Sequence, residues 1–418
     1  MKDKILKGLS LFLPGIFLLG FNIGTGSVTS MAKAGATYGM SLLWTIVASC
    51  LATFFMINLY SRYTMVTGET ALQAFKKHIH PGVGIFFIIA LTTGVMGSVM
   101  GVMGIVADIS HVWSRSYMTH GMTHGIPPIY FAAFYIALVY FIFWNGETQF
   151  FERALAVIVA LMSVCFLANF FILMPPLSEI FNGLIPNVPF ISDDQEKGPF
   201  LVIASLVGTT VFSGLFIIRT TLVKEAGWQI KDAKIQRRDA IVSVVLMFII
   251  SMSIMAAAAG TLYPANLGLT KASQMIELLK PLSGQMAVTI FAFGIIAAGV
   301  SSQFPNVLML PWLLCDYNES SRDMTLSKYR IMVFFISILG LTVPIFDARP
   351  VFVMIISQAL NSVILPMTVS CIMYLGNRKD LMKEYRFNIG TNLILLLILA
   401  FSIFTSAIGI IGVLQLIT

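Results

Sequence analysis

Eleven apolar runs, each long enough to cross a bilayer as a helix, follow one another along the chain. They lie at about 9–32, 39–60, 82–110, 127–145, 153–175, 199–222, 239–262, 284–313, 329–346, 350–375 and 388–416. Lipid offers no partner for an open backbone, so each run is predicted to be a helix. The polar connections are short, and the longest, about 176–198, leaves no room for a separate soluble domain. The pattern predicts an all-α polytopic membrane protein with residues 1–418 forming a single transmembrane domain.

Two runs depart from the Leu, Ile and Val pattern in the same way. The first contains FNIGTGSVTS, Phe21 to Ser30, with a predicted break at Gly24-Thr25-Gly26-Ser27. The sixth reads IASLVGTTVFSGLFIIRTTLV, with a predicted break around Thr210 to Gly214. The two are five spans apart and so cross in opposite directions. Glycines and small hydroxyls in membrane helices are often packing contacts. Matched interruptions in two inverted halves instead point to a transporter with its site at the midplane. The halves are about 9–175 and 199–375, with an extra helix at about 388–416.

Composition agrees: 57% of the residues are apolar, 11% are charged and the mean hydropathy is +0.88, which excludes a soluble domain. The Lys and Arg residues fix an orientation. With the first run entering from the cytoplasm, 19 of 26 fall on the inner side, among them Lys2, Lys4, Lys7, the Lys231–Arg238 cluster and the Arg378–Arg386 cluster. The expectation is an N-terminus inside and a C-terminus outside a plasma (inner) membrane. The net charge of +7 is thus a topology signal, and no nucleic-acid partner is expected. Trp44, Trp113, Trp144, Trp228 and Trp312 all fall near predicted span ends, as an interfacial belt should. Ala32-Lys33-Ala34 imitates a signal-peptide cleavage site, but the apolar core before it is too long and ten more spans follow. Cys50, Cys165, Cys315 and Cys371 are scattered and form no CxxC pair. No P-loop, zinc-protease motif or GxSxG is present, so neither ATP drive nor an enzyme is expected.

PGIFLLGFNIGTGS in the first run, VTGETALQAF at 66–75, GIIAAGVSSQ at 294–303 and SQALNSVILP at 357–366 together resemble the Nramp family of LeuT-fold transporters. The resemblance spans the first run through the tenth. It implies a 5+5 inverted repeat with an eleventh helix, working by alternating access. Members of that family carry Mn²⁺ or Fe²⁺ inward with protons. The family's first-helix motif Asp-Pro-Gly-Asn falls on Gly24, Thr25, Gly26 and Ser27, and its sixth-helix Met-Pro-His on Phe212, Ser213 and Gly214. A second family histidine becomes Arg219, and no Asp or Glu occurs from Gly82 to Ala107. Hydroxyls and carbonyls alone would leave a divalent charge uncompensated in low dielectric.

The candidate substrate-binding residues are Asn22, Gly24, Thr25, Gly26, Ser27, Thr209, Thr210, Phe212, Ser213, Gly214, Gln303, Asn306, Gln358 and Asn361. They offer neutral donors and acceptors, an aromatic wall and, at the glycines, open space. This suits a small neutral or zwitterionic organic solute, a sugar or an amino acid. The alternatives are a divalent metal (Mn, Fe or Mg) transporter with atypical ligands and a non-transporting receptor or subunit. No cofactor is expected. Ser301 and Ser302 are candidates for a coupling Na⁺, and the scarcity of carboxylates in the spans argues against H⁺. The expected partners are the lipid bilayer and a small-molecule substrate, with the chain a monomer.

Other signals read as structural. Met96, Met100 and Met103 sit beside a Gly97/Gly101 packing face. His111, His120 and His124, and Asp193, Asp194 and Glu196, lie in solvated loops. Arg219 is expected to snorkel or to pair near the inner interface, with Glu69 or Glu152. Cysteines placed in the Lys231–Arg238 and Asp193–Lys197 loops test the topology. An impermeant reagent on intact cells is expected to label only the second, and labelling of only the first would reverse the assignment.

Overall fold

A computed structural model describes residues 24–117, 125–145, 163–168, 170–171, 175–189, 199–279 and 285–415. Its principal helices are α1 (Thr25–Tyr38), α2 (Leu43–Thr67), α3 (Pro81–Tyr117), α4 (Pro128–Asn145), α5 (Phe200–Thr210), α6 (Ser213–Glu225), α7 (Ala233–Thr261), α8 (Gln285–Tyr317), α9 (Ser327–Ile338), α10 (Pro350–Val363), α11 (Leu365–Asn377) and α12 (Ile389–Leu414). Among the described residues nine helices are long and apolar enough to cross a membrane. Of the eleven expected, the first half of the first and most of the fifth, about 153–175, lie outside the described residues.

Burial ranks the spans. The apolar window of Phe200–Glu225 is 100% buried, whereas that of Pro128–Asn145 is 22% buried. A helix that is apolar all round belongs at the centre, so the interrupted sixth span is the axis of the molecule. On one side α1 and α2 pack on α7, and α6 packs on α2. On the other, α3 packs on α8, α4 and α10. α10 also lies along α5 and α12, joining the two groups.

Close approaches are made by small residues, because lipid supplies no hydrophobic drive between helices. A Cβ at Gly208 would overlap the Gln358 carbonyl oxygen, and one at Gly35 would overlap the Met255 carbonyl oxygen. The Gly94–Gly104 stripe of α3 lies on α10: Gly97 meets Ser357 and Gly101 meets Met354. The packing reading of that stripe therefore holds.

Several expectations need correction. α1 runs on to Tyr38, beyond the expected end at about 32, so Lys33 is a buried helical residue. α3 runs to Tyr117, beyond the expected 82–110, and carries Asp108, which lies inside the expected run just past the stretch free of acids. The Asp108 carboxylate faces the backbone N–H groups of Ala272 and Ser273. Asp239 and Asp316 are also buried in helices α7 and α8. The argument against H⁺ from missing carboxylates therefore fails. The expected tenth span is two helices, α10 and α11, which meet at Ile364. Pro366 at the start of α11 has no N–H to give, which makes this a low-cost place to interrupt.

Arg219 neither snorkels nor meets Glu69. It is fully buried, with Nη2 2.7 Å from Asp239 Oδ2. Its Nε donates to Ser61 Oγ at 3.1 Å, and the guanidinium lies 5.3 Å from the Trp228 ring centre. Glu69 instead holds Lys77 and His78, each at 2.7 Å. Burial pushes the Glu69 carboxyl up, but those two partners outweigh it and hold it below the usual range. Glu152 lies outside the described residues.

The VTGETALQAF segment has a clear structural job. Thr70 and Gln73 form a capping box at the short helix Ala71–Ala74. Thr70 Oγ1 also donates to Asp316 Oδ1 at 2.8 Å, the Ala71 N–H donates to Thr220 Oγ1 at 2.9 Å, and Lys224 Nζ donates to Gln73 Oε1 at 2.9 Å. One short segment thus ties α8 to α6.

Breaking a buried ion pair strands a charge, whereas removing both partners does not. Asp239→Asn alone is expected to cost about 3–5 kcal/mol, and the paired Arg219→Met, Asp239→Leu variant much less. Thermal unfolding in detergent checks this, and equal losses in the two variants would show that a stranded charge is not the source of the cost.

Candidate functional site

The sixth span is interrupted for two residues. Val211 (φ −106°, ψ 51°) and Phe212 (φ −71°, ψ 119°) are non-helical, between Thr210 and Ser213. The β-branched run Thr209-Thr210-Val211 before the break has low helix propensity. A helix that ends in lipid leaves carbonyls without partners. Here the Thr210 carbonyl accepts from Thr53 Oγ1 at 2.8 Å, so α2 satisfies the break. At the other end, Ser213 Oγ accepts from Thr368 Oγ1 at 2.7 Å.

The first span differs from expectation. Among the described residues its helix begins at Thr25, with Gly24 extended (φ −93°, ψ −176°) as N-cap. Thr25, Gly26 and Ser27 are the first turn of α1 and not unwound backbone. Gly24 has a conformation open to any residue. Gly26 is required for space: a Cβ there would fall 2.7 Å from Gln358 Nε2 and 3.2 Å from Met354 Sδ.

A cavity of about 50 Å³ lies between the two starts. Gly24, Gly26 and Ser27 line it from the first span, and Thr209 and Phe212 from the sixth. Ser302 and Asn306 come from α8, and Gln358 and Asn361 from α10. α3 adds Val95, Ser98 and Val102, which the sequence reading missed because this helix was read only as a packing stripe. Ser98 was the findable one: it is the hydroxyl one turn from Gly94, on the face that meets α10.

The lining is wired together. Ser98 Oγ and Ser357 Oγ are 2.9 Å apart, Gln358 Nε2 donates to Ser98 Oγ at 3.1 Å, and Asn361 Nδ2 reaches Gln358 Oε1 at 3.5 Å. Asn361 Oδ1 is buried with no donor. None of the lining residues is ionisable. Among the described residues no group of three or more His, Cys, Asp or Glu is placed to hold a metal ion.

Five of the substrate candidates do not line the cavity. Thr25 faces α8, with its hydroxyl 3.1 Å from where a Cβ on Gly299 would be. Thr210 and Ser213 are held in the bonds just described. Gly214 does not open space, because the Phe212 ring fills it, 2.6 Å from a Cβ placed there. Gln303 is buried, with Nε2 3.4 Å from the Val99 carbonyl. Of the two ion candidates, Ser301 and Ser302 both donate to the Ala298 carbonyl, at 3.2 and 2.6 Å, and only Ser302 reaches the cavity. Asn22 lies outside the described residues.

The sequence profile described as "Natural resistance-associated macrophage protein-like" matches residues 16–412. The chain belongs to the Nramp family. It is 23% identical over 376 residues to "Divalent metal cation transporter MntH" of Acidiphilium cryptum, covering 85% of this chain and 80% of that one. It is 20% identical to "Natural resistance-associated macrophage protein 2 homolog" of Dictyostelium discoideum, covering 91% of this chain but 60% of that longer relative. Among solved structures, a crystal structure of a histidine-to-alanine mutant of the Eremococcus coleocola manganese transporter matches with a TM-score of 0.76 at 14% identity, over 96% of this chain and 85% of that one. Mhp1, a nucleobase-cation-symport-1 family transporter with bromovinylhydantoin bound, matches at 0.60 and 15% identity, over 97% and 90%. These likenesses establish the LeuT fold. This Nramp protein is therefore a multi-pass membrane transporter.

Two glycine variants separate cavity from scaffold. Gly26→Val displaces the Gln358 amide and is expected to reduce ligand binding while the bundle still folds. Gly208→Ala pushes one helix backbone off another, an overpacking cost of about 1–3 kcal/mol, and is expected to lower the melting temperature. Ligand affinity and melting temperature measured on both variants check the distinction. A loss of stability with unchanged affinity in Gly26→Val would remove this stretch from the site.

Proposed function

We propose that this Nramp protein carries a small neutral or zwitterionic polar solute by alternating access about the two helix starts. The observation that carries the reading is the cavity lining: hydroxyls, amides and one aromatic ring, with no ionisable side chain. Asn361 lines the cavity beside Gln358, with its Oδ1 buried without a donor against Gly94 of α3. The first-turn N–H groups of α1 offer a positive pole. At roughly 10–15 Å³ per water, a cavity of about 50 Å³ holds only a few heavy atoms, which favours amino-acid size over a sugar. The fold does not choose the cargo. Relatives of the same fold include one named for manganese and one with a bound hydantoin.

The second reading is a divalent metal transporter. It is favoured by the relatives' names, since several are called divalent metal cation transporters. Its ligands would be Ser27, Asn306, Gln358, Asn361 and backbone carbonyls. Such an all-neutral set leaves two positive charges in low dielectric, which is why it ranks second. Coupling to H⁺ is favoured over Na⁺. Asp108 and Asp316 are carboxylates within the spans that are not in an ion pair with any described residue, while the Ser301 and Ser302 hydroxyls are committed to Ala298. The Lys231–Arg238 loop is cytoplasmic on this reading, by its positive charge. The protein acts as a monomer in the plasma membrane, with the two halves, about 9–175 and 199–375, related as inverted repeats.

A thermal-shift screen of the purified protein against small amino acids, sugars and Mn²⁺ tests the cargo. A rise in melting temperature with a small amino acid, lost in Asn361→Leu, is expected. A shift with Mn²⁺ alone would overturn the proposal in favour of the second reading.

A further inference from the structure

A second cavity, of about 400 Å³, opens away from the midplane between α2, the start of α7 and the start of α12. Its walls are amphiphilic along one axis. Phe54, Phe55 and Leu59 line it from α2 on one side of Arg62, with Asn58 among them and Ile394 of α12 also in the wall, and Met65 and Ile230 complete the lining. Phe54 to Leu59 is about 8 Å of helix, enough to meet the upper part of an acyl chain. The polar end carries Arg62, Arg237, Gln236 and Tyr385. No Asp or Glu lines the groove.

Three observations show unmet demand for an anion. Neither Arg62 nor Arg237 is in an ion pair with any described residue. Gln236 is 3% exposed, and its Nε2 has no acceptor. A buried amide donor without a partner costs free energy unless a ligand or water takes it. Finally, α7 begins here, with Ala233 of its first turn in the lining, and a helix N-terminus favours negative charge, whereas the start of α12 is already capped by Asn388 Oδ1, which accepts from the Thr391 N–H at 2.8 Å. The nearby acid Asp232 is turned to the Gln229 N–H at 3.0 Å and is not part of the wall.

We propose that this groove binds an anionic phospholipid, with the phosphate headgroup at Arg62, Arg237 and Gln236 and the upper acyl chain along α2. A free phosphate would satisfy the arginines but leave the apolar wall unused. A general attraction of basic loops to an anionic surface would not reach a side chain as buried as Gln236. Basic pockets between membrane helices on the cytoplasmic side suit this ligand class. The bound lipid would join α12 to α2 and α7, which otherwise meet here across a cavity.

The test uses the full chain in neutral detergent. Phosphatidylglycerol, phosphatidylcholine and inorganic phosphate are titrated separately, with melting temperature and lipid retention in native mass spectrometry as readouts. Phosphatidylglycerol is expected to raise the melting temperature and to be retained, and the other two are not. Arg62→Gln with Arg237→Gln is expected to weaken that effect by more than tenfold, at about fivefold per arginine. Gln236→Met keeps the side-chain volume and removes the stranded donor. It is expected to fold normally in neutral detergent and to bind phosphatidylglycerol several-fold more weakly. An equal shift with phosphatidylcholine, or the whole shift with inorganic phosphate, would overturn the proposal. So would an undiminished phosphatidylglycerol response in both variants.

Discussion

A helix interrupted in the middle of a bilayer exposes backbone groups that lipid cannot satisfy, and the molecule is arranged around meeting that demand. The Thr210 carbonyl is taken by Thr53 from α2, and Ser213 at the start of α6 is held by Thr368 from α11. α11 can do this because the tenth span is itself interrupted, at Ile364. Gly208 lets α10 pack directly on the sixth span at this level, which brings Gln358 and Asn361 to the break. The cavity is a by-product of this packing: where two half-helices start, side chains are short and three other helices converge.

Much of this was legible from residue order. The helical class and the sixth-span break follow from apolar run lengths and from Gly208 to Gly214, because lipid removes the alternatives that make soluble folds hard to read. The first break is narrower among the described residues than its composition suggests. Gly24 to Ser27 carries the composition of unwound backbone, yet only Gly24 is extended, and Thr25 to Ser27 form a helical first turn, with Gly26 needed for the Gln358 side chain. Composition cannot separate a glycine kept for conformation from one kept for space. Pairings across the bundle were invisible as well. Arg219 and Asp239 lie on different helices, and no local pattern says that one finds the other. Ser98 was hidden by its own neighbours, since a glycine stripe reads as packing whether or not a hydroxyl on it also faces a cavity.

The family fixes the scaffold, and the lining decides what the scaffold can hold. A transition metal and a small polar molecule make opposite demands on a low-dielectric site. The first wants anionic or soft ligands converging on a point; the second wants neutral donors and acceptors spread over a surface. Ser27, Thr209, Asn306, Gln358 and Asn361 meet the second demand. Met354 Sδ faces the Gln358 amide at 3.4 Å and is not part of the lining.

The central claim is that this neutral cavity does not bind a divalent metal. Calorimetric titration of Mn²⁺ into the purified protein, repeated with the Ser27→Ala and Asn361→Leu variants, measures it most directly. The account predicts no saturable heat in the micromolar range for any of the three. Tight, saturable binding to the unsubstituted protein that both variants abolish would contradict it and would make this cavity a metal site.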